Sequence, residues 1–225
     1  MRKIGLVVVL LSVGPLVVAQ QKPSAVPETA VYADSAAPVD ARITDLLKRM
    51  TLEEKVDAFS TDPTVPRLGV VGTGHVEGLH GLALGGPGHW EGHAAGHSVI
   101  TVIPTTTFPQ SRGLGQTWDP ALLREAAAQE AYETRYAYGK YHRGGLVVRA
   151  PNADLSRDPR WGRSEESYGE DPFLVGTLAT AYTRGLQGDG KYWTTASLLK
   201  HFLANSNENL RTSSSSDFDE RLFQE

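Results

Sequence analysis

The sequence predicts an α/β fold with parallel strands, on three observations. Two long helical stretches each open with Asp-Pro, at Asp119-Pro120 and Asp171-Pro172. Short apolar runs flanking them read as buried strands. The polar residues with chemical potential sit where those runs end. Strands that alternate with helices of about a dozen residues or more leave room for the crossovers that parallel pairing requires.

The elements follow in chain order. Arg2 and Lys3 precede an apolar run from Ile4 to Val18, and Val17-Val18-Ala19 offers a small-residue cleavage site, so residues 1–19 are expected to be an export signal. The run is too short for a good membrane anchor. Residues 20–38, rich in Pro, Ala and Ser without periodicity, are expected to form a flexible lead-in to a domain over 39–225. Ile43, Leu46, Leu47 and Met50 recur at the spacing of one helical face. Thr51-Leu52-Glu53-Glu54 then fits a capping box that starts a second short helix.

Leu68–Val71, Val76–His80, Leu146–Ala150 and Tyr192–Leu199 are the strand candidates. In the two Asp-Pro helices the Asp is the expected N-cap and Pro the first helical residue, with Gly139 and Gly185 suited to the far ends. Three or four strands are too few to close an eight-stranded barrel. The chain ends about one turn into a segment opened by Asp219, so a truncated domain is expected.

Composition narrows the chemistry. Without residues 1–19 the chain keeps 20 Lys and Arg against 26 Asp and Glu, a net charge of −6, which disfavours nucleic acid and anionic membranes as partners. There is no cysteine, so an exported form depends on its core rather than on disulfides. Glu77 and His80, Asn152 and Arg157, and Lys200 and His201 fall at strand ends, where parallel α/β folds bind ligands. The most unusual stretch is RDPRWGRSEESYGEDP, residues 157–172. Arg160 and Arg163 face Asp158, Glu165, Glu166, Glu170 and Asp171 there, which reads either as a salt-bridged solvated loop or as a ligand site. Trp161 is placed to cover arginines or a ligand ring.

Taken with EGLHG (77–81), TTTFPQSRGLGQTWDPALL (105–123) and KHFLANSNENLR (200–211), the stretch APNADLSRDPRWGRSEESYGEDPFLVG (150–176) resembles glycoside hydrolase family 3, the β-glucosidase and β-xylosidase family. PVDARITDLLKRMTLEEKV (38–56) is similar to that family's N-terminal lead-in. The resemblance implies an incomplete (β/α)8 TIM-like barrel, roughly its first half. It also implies a small-molecule carbohydrate substrate and no cofactor. Substrate-binding roles fall by the same resemblance on Glu77, Arg157, Lys200, His201 and Arg211, with Glu208 a further lining candidate. EGLHG leans toward the xylosidase side of the family.

The family is retaining, which requires a nucleophile and an acid/base carboxyl group. By the resemblance the nucleophile is an Asp in an SDW- or TDW-like motif well beyond KHF, and no such motif occurs up to Glu225. No catalytic residue is therefore assigned, Asp154 and Asp158 included. The expected function is part of an exported exo-acting β-glycosidase releasing terminal glucose or xylose, in periplasm or medium, with the isolated chain inactive. Two other readings stand beside it. One is a sugar-binding module without catalysis. The other is a metal-dependent hydrolase built on the histidines between His75 and His97, although GGPGHWEGHAAGH is too rich in glycine to align His89, His93 and His97 on a helix.

Overall fold

The computed structural model describes residues 30–60, 63–84, 103–205 and 207–224, in two compact units. The expected export signal lies outside the described residues, as do His89, His93 and His97. Among the described residues no helix is long and apolar enough to cross a membrane.

The first unit runs to Lys55 and takes in Thr64–Val71. Its helices are α1 (Val39–Arg49) and the start of α2 (Leu52–Asp57). The end of the expected lead-in is ordered: residues Val31–Ala33 form a 3-10 turn, and buried Tyr32 donates from its hydroxyl to the Leu68 carbonyl at 2.7 Å. The capping box forms as read, with Glu54 N–H donating to Thr51 Oγ1 at 3.2 Å and Thr51 N–H to Glu54 Oε2 at 2.9 Å. Arg67 then holds both oxygens of Glu54, at 2.9 and 2.7 Å. The strand expected at Leu68–Val71 is absent. Pro66 starts a 3-10 turn there, Gly69 closes it at φ 68°, and Val65 and Val70 make an isolated antiparallel bridge. A proline and a left-handed glycine fold this stretch onto itself instead of extending it.

The second unit holds β1 (His75–Glu77), α3 (Ser111–Gly115), α4 (Pro120–Tyr141), β2 (Val147–Arg149), α5 (Pro172–Gln187), β3 (Ala196–Ser197) and α6 (Glu220–Gln224). The strands form one sheet in the order β1-β2-β3, all parallel, with Glu77 opposite Arg149 and Val147 opposite Ala196. An α/β architecture with parallel pairing is thus what the chain adopts. The strands are shorter than expected. The chain leaves β1 at Gly78. Tyr192 and Trp193 are exposed and precede the sheet, because Thr194 and Thr195 bond back to the end of α5.

Both Asp-Pro helices start as their sequences predict. Asp119 Oδ1 accepts from the N–H groups of Ala121 (2.9 Å) and Leu122 (3.1 Å), and Asp171 Oδ1 from Leu174 at 2.7 Å. Asp219 likewise accepts from Leu222 at the start of α6. The far ends differ. Helix α4 passes through Gly139 and stops with His142 in the left-handed region at φ 53°, its N–H reaching the Tyr138 carbonyl. Helix α5 passes through Gly185 and stops at Gly188, φ 71°.

Gly185 serves packing instead. A Cβ on it would lie 2.3 Å from the Arg124 carbonyl oxygen and 2.7 Å from Ala127 Cβ, so the glycine is what lets α5 press against α4. The core at this crossing joins Leu123 and Ala127 of α4 to Leu178, Tyr182 and Leu186 of α5, and Val148 of the central strand lies beneath.

Candidate functional site

The parallel sheet delivers three polar groups to the carboxyl ends of its strands. Glu77 ends β1, Arg149 ends β2, and Lys200 continues β3 through a parallel bridge to Asn152. Because Glu77 and Arg149 are register partners, their side chains meet, with Arg149 Nη1 3.1 Å from Glu77 Oε1. Lys200 Nζ donates to the other oxygen, Oε2, at 2.8 Å. The Lys200 side chain is 10% exposed and that of Glu77 47%. Partial burial works to raise the Glu77 carboxyl, but hydrogen bonds and charge from Lys200 and then Arg149 outweigh it, so Glu77 is held below its ordinary value.

The next residue, His201, turns away from that pair. Its Nδ1 lies 2.7 Å from Asp154 Oδ2, and its backbone N–H donates to Asp154 Oδ1 at 3.3 Å. Asp154 is itself fixed, since its N–H donates to Asn152 Oδ1 at 2.8 Å and its carbonyl accepts from Ser167 Oγ at 2.7 Å. Sequence reasoning missed this use of Asp154, having weighed it only as a catalytic carboxylate. The available signal was its place, two residues past buried Asn152 on the same strand-end loop that carries Arg157.

The charged stretch 157–172 divides by depth. Arg160 forks onto Asp158 in solvent, drawing the Asp158 carboxyl down to about 2 through hydrogen bonds. Arg163 turns inward and holds Glu166 with two bonds, at 2.8 and 2.5 Å. Burial opposes ionisation of Glu166, and Arg163 overcomes it, keeping the carboxyl below its ordinary value. Glu208 lies 3.8 Å from Arg163 and 3.2 Å from Arg211. Trp161 and Tyr168 are buried, and Tyr168 belongs to the core cluster. These two aromatics supply the anchor that the stretch, poor in aliphatics, needs.

A pocket of about 470 Å³ opens beside this loop. Arg157, Asp154, Trp161 and His201 contribute to its wall, and Phe202 and Phe223 add apolar surface. Cation, carboxylate, imidazole and aromatic rings together suit a neutral ligand with many hydroxyls and an apolar face. Of the residues expected to bind substrate, the structure brings Arg157 and His201 to this pocket and joins Glu77 to Lys200, neither of which lines it. Arg211 is placed apart, exposed and paired with Glu208. Among the described residues His80 Nδ1 is buried without a hydrogen-bond partner, and no group of three metal-ligating side chains is found.

Comparison with known proteins gives the class. Residues 89–224 match the glycosyl hydrolase family 3 N terminal domain, more than half of the chain. The chain is 40% identical over 155 residues to a probable β-D-xylosidase 7 of Arabidopsis thaliana, covering 68% of this chain and 19% of that protein. It is 34% identical over 188 residues to a β-glucosidase of Rhizobium radiobacter, covering 81% and 20%. Among solved structures it is similar to β-glucosidase 3B from Thermotoga neapolitana in complex with glucose, at TM-score 0.55 and 27% identity, over 74% of this chain and 24% of that one. The chain belongs to glycosyl hydrolase family 3. It spans about a fifth of the length of the curated relatives it matches.

Proposed function

We propose that this chain forms the sugar-binding part of an exported, retaining, exo-acting β-glycosidase that releases terminal β-linked glucose or xylose. Its three sequential parallel strands are taken as the opening strands of a (β/α)8 barrel. The observation that carries the reading is the placing of polar groups at the strand ends: Arg157 and His201 in the wall of one pocket, and Glu77 paired with Lys200, the residue before His201. Relatives named as β-xylosidase and β-glucosidase support the substrate class. Arg157 offers a guanidinium fork for two vicinal hydroxyls. His201, its ring oriented by Asp154, offers Nε2 to a third. Glu77 adds an acceptor already held by two cations. In this reading neither the nucleophile nor the acid/base falls within residues 1–225, so the chain binds a monosaccharide without turning over a glycoside.

The test is a titration of the 225-residue chain with xylose and glucose, followed by NMR, in wild type and Arg157→Ala. Loss of charged hydrogen bonds of about 1.5–3 kcal/mol predicts binding weakened roughly 10- to 100-fold. Failure of the folded wild type to bind either sugar overturns the binding role. Turnover of an aryl β-xyloside or β-glucoside that Arg157→Ala abolishes overturns the assignment of catalysis elsewhere.

A further inference from the structure

Beneath the site lies a carboxyl group that the binding reading does not use. Glu130, on the face of α4 turned to the core, is fully buried at 0% exposure, and among the described residues no cation pairs with it. Among the described residues its Oε1 has no hydrogen-bond partner, and its Oε2 lies 2.5 Å from the Tyr182 hydroxyl of α5. The same hydroxyl is 3.4 Å from the carbonyl oxygen of Gly78, the residue after Glu77. The carboxyl presses on that backbone: a Cβ on Gly78 would fall 1.8 Å from Glu130 Oε1. Among the described residues the titratable groups around it are Tyr182 from α5, Tyr168 from the loop before α5, and Glu133 from α4 itself.

A tyrosine hydroxyl has one proton to donate. If Glu130 were ionised, that proton would be drawn to Oε2, leaving the Gly78 carbonyl without it. If Glu130 is protonated, its own O–H donates to the Tyr182 oxygen, and the tyrosine proton is free to go to Gly78. We infer that Glu130 is a positioning residue that acts as the first donor in a relay, Glu130 Oε2–H to Tyr182 Oη–H to Gly78 O, which fixes the end of β1 and with it the Glu77 carboxylate. A buried, unpaired carboxylate is costly enough that it keeps its proton instead. Burial, with a smaller contribution from Glu133, pushes the Glu130 carboxyl up to about 8 against the pull of Tyr182. The inference rests on the sugar-binding reading only for the importance of a fixed Glu77.

The experiment needs no sugar, so its failure and that of the binding reading are distinguishable. Carboxyl carbons of the full chain are titrated by NMR in wild type, Glu130→Gln and Tyr182→Phe, and melting is followed over the same pH range. Glu130 is expected to stay protonated through neutral pH, with Glu77 titrating below its ordinary value. Tyr182→Phe breaks the relay and moves the Glu77 midpoint upward. Glu130→Gln keeps an N–H donor for Tyr182 and leaves Glu77 where it was. Because the folded-state value is raised, the stability contributed by Glu130 is full below pH 4.5 and is lost as pH rises through about 8. The wild-type melting temperature therefore falls across that window, and Glu130→Gln flattens the fall. Titration of Glu130 at its ordinary value, or a Glu77 midpoint unmoved by Tyr182→Phe, overturns the relay. A variant too unstable to titrate leaves the wild-type Glu130 titration and the pH dependence of melting to decide.

Discussion

Gly185 and Gly176 lie on the same helix, and the same substitution at each is expected to act in opposite directions. In α5, replacing glycine by alanine gains about 1 kcal/mol of helix propensity wherever the added methyl meets nothing. Gly176 is such a place, exposed and with no atom of the described residues within 4 Å of where the methyl would lie. At Gly185 the built Cβ falls 2.3 Å from the Arg124 carbonyl oxygen, and ordinary contact begins at 3.4 Å. Backbone cannot rotate aside as a side chain does, so α5 must back away from α4 by roughly 1 Å, loosening the contact along Leu178 and Tyr182. Overpacking of this kind costs about 1–3 kcal/mol and occasionally more. Set against the propensity gain, Gly185→Ala should lose about 2 kcal/mol at the upper end of that range, or roughly 4–8 °C in melting temperature for a chain of this size. Gly176→Ala should gain about 2–4 °C. Thermal unfolding followed by circular dichroism measures both. A Gly185→Ala variant as stable as Gly176→Ala would refute the close approach of the two helices.

Two further outcomes follow from the same geometry. Arg163→Met leaves the Glu166 carboxylate partly buried and without its fork, which should cost about 1–3 kcal/mol in urea unfolding at pH 7. Since pairing lowers the Glu166 value, the stability it contributes is present above about pH 4.5 and lost as pH falls below it, so the variant should lose less than wild type on acidification; equal losses would count against the pair. Asp119→Ala and Asp171→Ala each remove an N-cap and should cost about 1 kcal/mol by the same measurement, with Asn recovering most of it at either position.

What the sequence made legible was local chemistry. Thr51 with Glu54, Asp119 and Asp171 each act on a backbone group within a few residues, so the pattern alone determines the bond. Helix ends escaped because Gly139 and Gly185 look alike in sequence. One sits in an exposed turn of α4 with nothing near it, the other under a carbonyl of a helix about sixty residues away. Strand limits escaped for a similar reason. Tyr192 and Trp193 are good strand formers by type, but Thr194 and Thr195 spend their N–H groups on the end of α5. The strand-end rule named Glu77, His80, Asn152, Arg157, Lys200 and His201, of which Arg157 and His201 line the pocket. Arg149 was invisible because its partner, Glu77, is 72 residues away and is reached only through the parallel register.

The charged stretch between β2 and α5 shows why depth must be known before charges are interpreted. Arg160 with Asp158 and Arg163 with Glu166 are both pairs between near neighbours in sequence, yet the first lies in solvent, where such pairs contribute little, and the second is mostly covered. Around the covered pair the signs alternate: Glu77 between Arg149 and Lys200, then Glu166 on Arg163, then Glu208 between Arg163 and Arg211. Alternation of this kind holds long side chains in fixed rotamers. It also leaves little local excess of either sign to attract an ion. The covered pair also reaches the strand-end loop, because Asn152 Nδ2 donates to Glu166 Oε2 at 3.4 Å and Asn152 Oδ1 accepts from the Asp154 N–H. The pair that folds the loop therefore also braces Asp154, the carboxylate that orients His201 in the pocket wall.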